Sequence, residues 1–135
     1  MSIRLRDWRA RLSELTEWDV RGAADLAAAQ RDVGRDTCYV TYLSEDDSDD
    51  RNAAVDNLRR YGVAVLLAVR NRRGPGGAAL DEIEDLRLPL LRALAGWRPP
   101  GAAGRVNFRR GRLLRLDRDV LWWQDEYDVP AIAVR

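Results

Sequence analysis

The side chains that could most obviously do chemistry are carboxylates gathered in one short run of the sequence. Five of the seven side chains in residues 44–50 are acidic: Glu45, Asp46, Asp47, Asp49 and Asp50. Carboxylates at this density can bind Ca²⁺ or Mg²⁺, but the run lacks the mid-loop glycine and terminal glutamate of an EF-hand. Because the run has nothing to bury, we expect an exposed loop, either solvated or docked against arginines of another chain. No metal site is predicted.

A second charged cluster is basic and lies in the last third of the chain. Its members are Arg105, Arg109, Arg110, Arg112, Arg115 and Arg118, with only Asp117 opposing them. These arginines could face water on an amphipathic hairpin, hold phosphates of a nucleic acid, or meet carboxylates of another subunit. Acidic and basic patches on one small domain are self-complementary, and such patches can join copies head to tail.

Two adjacent tryptophans and two adjacent acids occur on a predicted strand near the C-terminus. Trp122 and Trp123 must point to opposite faces, and so must Asp125 and Glu126. We expect the outward tryptophan, Trp122, to be covered by a helix of the same chain or to anchor an interface. The divergence of Asp125 and Glu126 argues against a catalytic acid–base pair.

The composition excludes much of catalytic chemistry. The chain has no His, and all 23 of its basic residues are Arg, so imidazole bases, imidazole metal ligands and lysine Schiff bases are ruled out. The single cysteine, Cys38, excludes an internal disulfide and is most simply a small buried hydrophobe. A net charge of +1 gives no electrostatic reason to expect nucleic acid or membrane as a partner. We predict neither enzymatic activity nor a cofactor.

The length of 135 residues fits one domain, residues 1–135, with a single core. No secretory signal is recognisable, and the longest apolar run, residues 63–69, is too short to span a membrane. We therefore expect an intracellular protein that does not contact a membrane.

Hydrophobic periodicity predicts the order of elements. Apolar spacings of three and four indicate helices over residues 3–18 and 80–94, the first with Leu15 in its apolar stripe and the second bending or restarting at Pro89. The sequence also predicts a short helix at 22–29, strands at 37–43 and 61–69, and a turn at 71–77. After the second long helix, it predicts a hairpin of strands 105–116 and 120–134 around a turn at 117–119. The second strand of this hairpin is expected to be broken near Pro130.

This order predicts an α+β domain. We expect an antiparallel or mixed sheet of about four strands, with residues 61–69 in its middle, two to three helices packed on it and a C-terminal β-hairpin. Strict alternation of strands and helices is missing, which argues against a doubly wound nucleotide-binding fold.

Several segments together resemble the tail terminator, or tail completion, proteins of long-tailed bacteriophages. They are residues 5–12, 22–27, 68–71, 95–99, and 112–114 with 123–129. The resemblance covers nearly the whole chain and depends on the ensemble, because no single motif is diagnostic. Departures from the expected pattern are the strand opening at residues 37–39 and the prominent acidic run.

The resemblance implies a virion structural protein without cofactor. Such a protein would form a hexameric ring on the tail tube, end tube polymerisation and provide the interface for head–tail joining. Implied partners are further copies of the chain, the tube protein, a head-side connector or stopper, and the sheath protein if the tail is contractile. DNA would pass through the lumen without specific binding, and assembly would take place in the host cytoplasm.

These considerations lead to one hypothesis about contacts and one alternative function. We expect Glu45, Asp46, Asp47, Asp49 and Asp50 to lie on one edge or to line the lumen. Arg105, Arg109, Arg110 and Arg112, together with Trp122, are expected to contact a neighbouring subunit or the tube protein. The alternative is a small nucleic-acid-binding protein that uses the arginine-rich hairpin.

Overall fold

A computed structural model describes residues 3–22, 36–47, 58–70, 78–116 and 119–132. The elements follow in the order α1 (Leu5–Leu15), β1 (Asp19–Gly22), β2 (Thr37–Asp47), β3 (Leu58–Arg70), α2 (Ala78–Leu94), β4 (Asn107–Leu116) and β5 (Val120–Ile132). Five strands form one mixed sheet in the order β1-β2-β3-β5-β4. Only β1 and β2 run parallel, and the other neighbours are antiparallel. The predicted α+β class is confirmed, with five strands instead of about four.

The apolar strand predicted at residues 61–69 is the middle of the sheet. It is buried from Tyr61 to Val69 and pairs with β2 on one side and β5 on the other. A strand buried on both faces needs apolar residues at every position, which is why its sequence shows a continuous apolar run. The prediction of a central strand is confirmed.

Both described helices pack on the same face of the sheet, here called the helix face. Trp8 and Leu12 of α1 and Leu90 of α2 are buried there against Val65 and Tyr127 of the sheet. The indole of Trp8 meets the rings of Trp97 and Tyr127 edge-on, at centroid distances of 5.7 and 6.2 Å. These contacts, rather than helix propensity alone, hold α1 in place.

The opposite face carries a smaller buried cluster of Tyr39, Leu66, Ala68 and Trp122. The rings of Tyr39 and Trp122 stack with centroids 6.2 Å apart. Neither helix in the described part of the chain contributes to this cluster.

The first part of the chain contains a strand that the sequence analysis missed. Asp19–Gly22 is β1, paired with the start of β2, so Gly22 ends a strand and does not open the predicted short helix. The rest of that predicted helix, residues 23–29, lies outside the described residues. Leu15, placed in the apolar stripe of α1 by its spacing, is 52% exposed at the end of the helix.

The acidic run begins as a strand and not as a loop, which corrects the prediction for residues 44–47. After a bulge at Leu43, β2 continues to Asp47, and its backbone pairs Asp46 with Arg60 and Asp47 with Arg59. Opposite charges on neighbouring strands favour this extension. Residues 48–50 lie outside the described residues, as does the predicted turn at 71–77.

Both prolines expected to interrupt an element are accommodated. α2 runs as one helix through Pro89, so the predicted restart does not occur. Asp85 and Pro89 are both exposed, and water can therefore bind the carbonyl that loses its helical partner. β5 also continues through Pro130, whose carbonyl accepts the Ala103 N–H at 2.8 Å. Since the nitrogen and carbonyl of a strand residue point to the same side, no hydrogen bond to β3 is lost.

The C-terminal hairpin of β4 and β5 is confirmed. Its first strand begins at Asn107, so Arg105 precedes the strand. α2 ends as predicted at Leu94, and Gly96 follows it with a φ of 83°, the left-handed conformation that glycine adopts readily. Of the predicted turn, residues 117 and 118 lie outside the described residues.

Candidate assembly surface

The edge strand β4 is exposed along nearly its whole length. It pairs with β5 along one side, and no described strand pairs with its other side. Every residue of β4 except Gly111 is exposed. Four large apolar side chains are among them: Phe108, Leu113, Leu114 and Leu116. An edge that combines unpaired backbone groups with exposed apolar side chains is a template for association with another chain.

The two faces of β4 have different chemistry. Register with β5 places Phe108, Leu113 and Leu116 on the helix face, across from Tyr127, Trp123 and Leu121. The opposite face carries Arg110 across from Glu126, Arg112 across from Gln124, and Arg115 across from Trp122. Bulges at Arg109 and Leu114 interrupt the register and bend the strand. The apolar and cationic side chains are thereby separated on a single strand.

Two buried carboxylates of β5 lie beneath the arginines. Asp128 is near three groups: Arg109 Nε at 3.6 Å, Arg60 Nη1 at 3.7 Å and the Asn107 amide nitrogen at 3.4 Å. Arg110 Nε donates a hydrogen bond to the carboxylate of Glu126. A carboxylate removed from water is stabilised only when it is paired and hydrogen-bonded, so these arginines support their own sheet.

The remaining arginines of the predicted contact set are arranged differently. Arg112 forms no ion pair with any residue that the structure describes. Arg105 lies apart from β4 and donates a hydrogen bond to the Gly96 carbonyl at 3.3 Å. The structure therefore brings Arg109, Arg110 and Arg112 together and separates Arg105 from them.

The acidic set is divided by the fold. Glu45 and Asp46 are exposed on the last part of β2, and the backbone of Asp47 ends that strand. Asp49 and Asp50 lie outside the described residues. Two of the five predicted carboxylates therefore have a described, exposed position.

Trp122, the predicted outward tryptophan, is only 9% exposed in the single chain. Its ring stacks on Tyr39. Trp123 lies on the helix face and is half-buried against the main core. The alternation of the two tryptophans is confirmed, while a role of Trp122 in an interface stays a prediction.

One buried ion pair, which was not predicted from the sequence, fixes the hairpin to α2. Asp125 is fully buried on the helix face, and the Arg87 guanidinium donates to both of its carboxylate oxygens. The indole nitrogen of Trp123 donates to Asp125 at 3.0 Å, and Arg87 lies over the rings of Trp123 and Phe108. The available signal was an acid on the apolar side of β5. Glu126 points to the other face, as predicted for adjacent strand residues.

Burial also raises the pKa of two side chains, Cys38 and Tyr127. It raises the pKa of the Cys38 thiol to about 12, and the negative charge of Asp19 adds to the effect. Burial likewise raises the pKa of Tyr127, with the charge of Asp125 as a further cause. Both groups are therefore neutral at physiological pH, and neither has the lowered pKa of an activated nucleophile.

The described residues form no cluster of metal-binding side chains. Within that part of the chain, no group of three or more Cys, Asp or Glu side chains could hold a metal ion. Neither of the two described helices could span a lipid bilayer. The structure defines a small α+β protein with an exposed edge strand.

Comparison with known families identifies the group to which the chain belongs. The family model described as phage tail terminator protein matches residues 4–133, nearly the whole chain. The chain is thus a member of the phage tail terminator family. It is a structural protein of a phage tail, and it interacts with other tail components. The resemblance noted from the sequence is confirmed. A search of curated proteins finds no match.

Proposed function

We propose that this chain forms a ring, of six copies, at the end of the tail tube. There it ends tube polymerisation and provides the interface for the head-side connector. The single observation that carries this proposal is the exposure of β4 along its length, with arginines on one face and apolar side chains on the other. A strand of this kind is stabilised when another chain covers it.

The charged residues have separate roles in this proposal. Arg109, Arg110 and Arg112 contact a neighbouring subunit or the tube protein, and Arg105 contributes from the segment before β4. Glu45 and Asp46, with Asp47, Asp49 and Asp50 beyond them, lie on one edge of the ring or line its lumen. Arginine is suited to such contacts because its planar fork binds carboxylates in a fixed geometry.

The intrachain ion pairs favour this role over the binding of nucleic acid. Arg109 and Arg110 already pair with Asp128 and Glu126, which lowers the positive potential that the hairpin offers to phosphates. DNA passing through the ring would therefore be held without sequence-specific contacts.

Deletion of the gene, followed by electron microscopy of the tails, tests the proposal. Without the chain, we expect tubes of irregular length that do not join heads, and plasmid-borne wild-type protein should restore normal particles. Tails of uniform, normal length joined to heads in the deletion strain would contradict the proposal.

A further inference from the structure

A cleft of about 590 Å³ lies between the end of α1, the start of β2 and the middle of α2. Its rim carries four carboxylates, Glu14, Glu17, Asp36 and Asp85, and none of the described lining residues is basic. Leu15 and Pro89 line it as well, and both are exposed. We refer to these six residues as the acidic cleft.

The carboxylates of the acidic cleft have no cationic partner in the described part of the chain. Glu14, Glu17 and Asp85 form no ion pair there, and Asp36 accepts only the backbone N–H of Arg70, at 3.0 Å. Like charges held around one cavity repel one another, and a cation placed among them relieves that repulsion.

The exposed leucine of the acidic cleft indicates that its ligand also offers an apolar surface. Leu15 is 52% exposed, and burying a leucine side chain on association stabilises the complex. A ligand with both a cationic group and an apolar group can bind the carboxylates of the rim and cover the exposed leucine at the same time. Arginine flanked by leucine has this character, because its alkyl stem packs against apolar surface while the guanidinium binds carboxylates.

The same chain carries such a segment on the other edge of its sheet. β4 contains Arg112, which has no ion pair among the described residues, followed by the exposed Leu113 and Leu114. The acidic cleft adjoins β1 and β2, whereas β4 lies at the far end of the strand order. Four strand spacings of about 4.8 Å separate the two edges by about 19 Å.

We propose that the acidic cleft of one copy receives the β4 edge of a second copy. No described residue of β4 lines the cleft of its own chain, so the two complementary surfaces join copies head to tail, and such contacts generate a ring when the rotation closes. This inference rests on the proposed ring and specifies which surfaces form its subunit contact. The negative cleft disfavours nucleic acid as the occupant.

Disulfide trapping tests the contact directly. A chain carrying Leu15→Cys and Leu114→Cys is incorporated into particles, oxidised and separated on a non-reducing gel. We expect a ladder of linked copies of this chain, because a disulfide forms only when the two Cα atoms come within about 7 Å. The native Cys38 is fully buried and does not compete.

Matched controls make the trapping specific. Each single cysteine variant should give no ladder, and neither should Leu43→Cys with Leu114→Cys, since Leu43 is a comparably exposed leucine on β2, outside the cleft. A linked product containing the tube protein in place of a second copy would overturn the proposal.

A charge exchange supplies a second, independent measurement. Glu17→Arg and Arg112→Glu should each weaken ring assembly by about tenfold, because each places like charges in contact. The double variant should recover most of the loss, since it restores an opposite pair. Additive losses in the double variant would contradict the contact.

The outcomes separate this inference from the function on which it rests. Particles that contain the chain as a ring, but show neither trapping nor charge rescue, reject the cleft contact and leave the ring intact. Particles that never contain the chain reject the ring and the contact together.

Discussion

Arg87 of α2 and Asp125 of β5 form an ion pair across the layers of the fold. Asp125 is completely buried, and the Arg87 side chain is 13% exposed. The aromatic rings of Trp123 and Phe108 flank the guanidinium. The pair therefore joins the helix layer to the hairpin that carries the candidate assembly surface. Its loss should lower the free energy of unfolding and weaken assembly.

Breaking this pair from one side should be strongly destabilising. Arg87→Ala leaves the Asp125 carboxylate buried with Trp123 as its one remaining hydrogen-bond donor among the described residues, and we expect a loss of about 3–5 kcal/mol in the free energy of unfolding. Urea denaturation followed by tryptophan fluorescence measures this loss. The matched control is Arg92→Ala on the exposed side of α2, which should stay within about 0.5 kcal/mol. Equal stabilities of the two variants would contradict the assigned role.

Gly111 of β4 should tolerate no side chain. A Cβ atom at this position would lie 2.6 Å from both Arg87 Nη2 and Asp125 Oδ1. We expect Gly111→Ala to cost about 1–3 kcal/mol by overpacking the ion pair. The same substitution should cost less in an Arg87→Ala background, because one of the clashing groups has gone. In the control Gly22→Ala, the three atoms nearest the new Cβ all belong to the flexible end of the Arg9 side chain, the closest at 3.3 Å.

The Cys38 thiol should make stability fall in alkaline solution. Its pKa rises from 9.0 to about 12 in the folded chain, chiefly through burial. The unfolded chain therefore releases this proton first, and stability that is complete below pH 9 is lost as the pH rises from 9 towards 12. Denaturation at pH 7 to 10 should show this decline, and Cys38→Ala should flatten it. A decline of the same slope in Cys38→Ala would exclude the thiol as its cause.

Sequence patterns predicted the centre of the fold better than its edges. The apolar run of β3 and the alternation around Trp122 and Trp123 identified both strands, because burial imposes those patterns on any chain. β1 has only four residues, and its pairing is parallel with β2, so no local pattern reveals it. The acidic end of β2 was mistaken for a loop because its support comes from Arg59 and Arg60 on another strand.

The candidate surface was predicted only in part for the same reason. The arginines of β4 were visible as a cluster, but the carboxylates that pair with two of them, Glu126 and Asp128, follow a turn and become neighbours only through register. The acidic cleft combines residues of α1 and α2 with Glu17, which follows α1, and Asp36, which precedes β2, and these residues share no sequence pattern. Tertiary juxtapositions of this kind follow from the fold and not from spacing along the chain.

Assembly should depend on the β4 arginines in a salt-sensitive way. The triple variant Arg109→Glu, Arg110→Glu and Arg112→Glu should reduce ring formation measured by light scattering, and the wild-type ring should weaken as salt screens these contacts. Arg112→Glu alone provides a variant that leaves the Asp128 and Glu126 pairs in place. The control of equal charge change is Arg4→Glu, Arg6→Glu and Arg92→Glu, all exposed and away from β4. Unchanged ring formation in the triple variant would reject the role of these arginines.

In the proposed function, this chain acts by contact at the end of a tail tube. A cryo-electron density map of purified particles, at the junction between tail tube and head, tests it most directly. We expect a ring at that junction whose subunits fit the five-stranded sheet with both described helices on one face. A junction filled entirely by other proteins, with this chain absent from the particle, would contradict it.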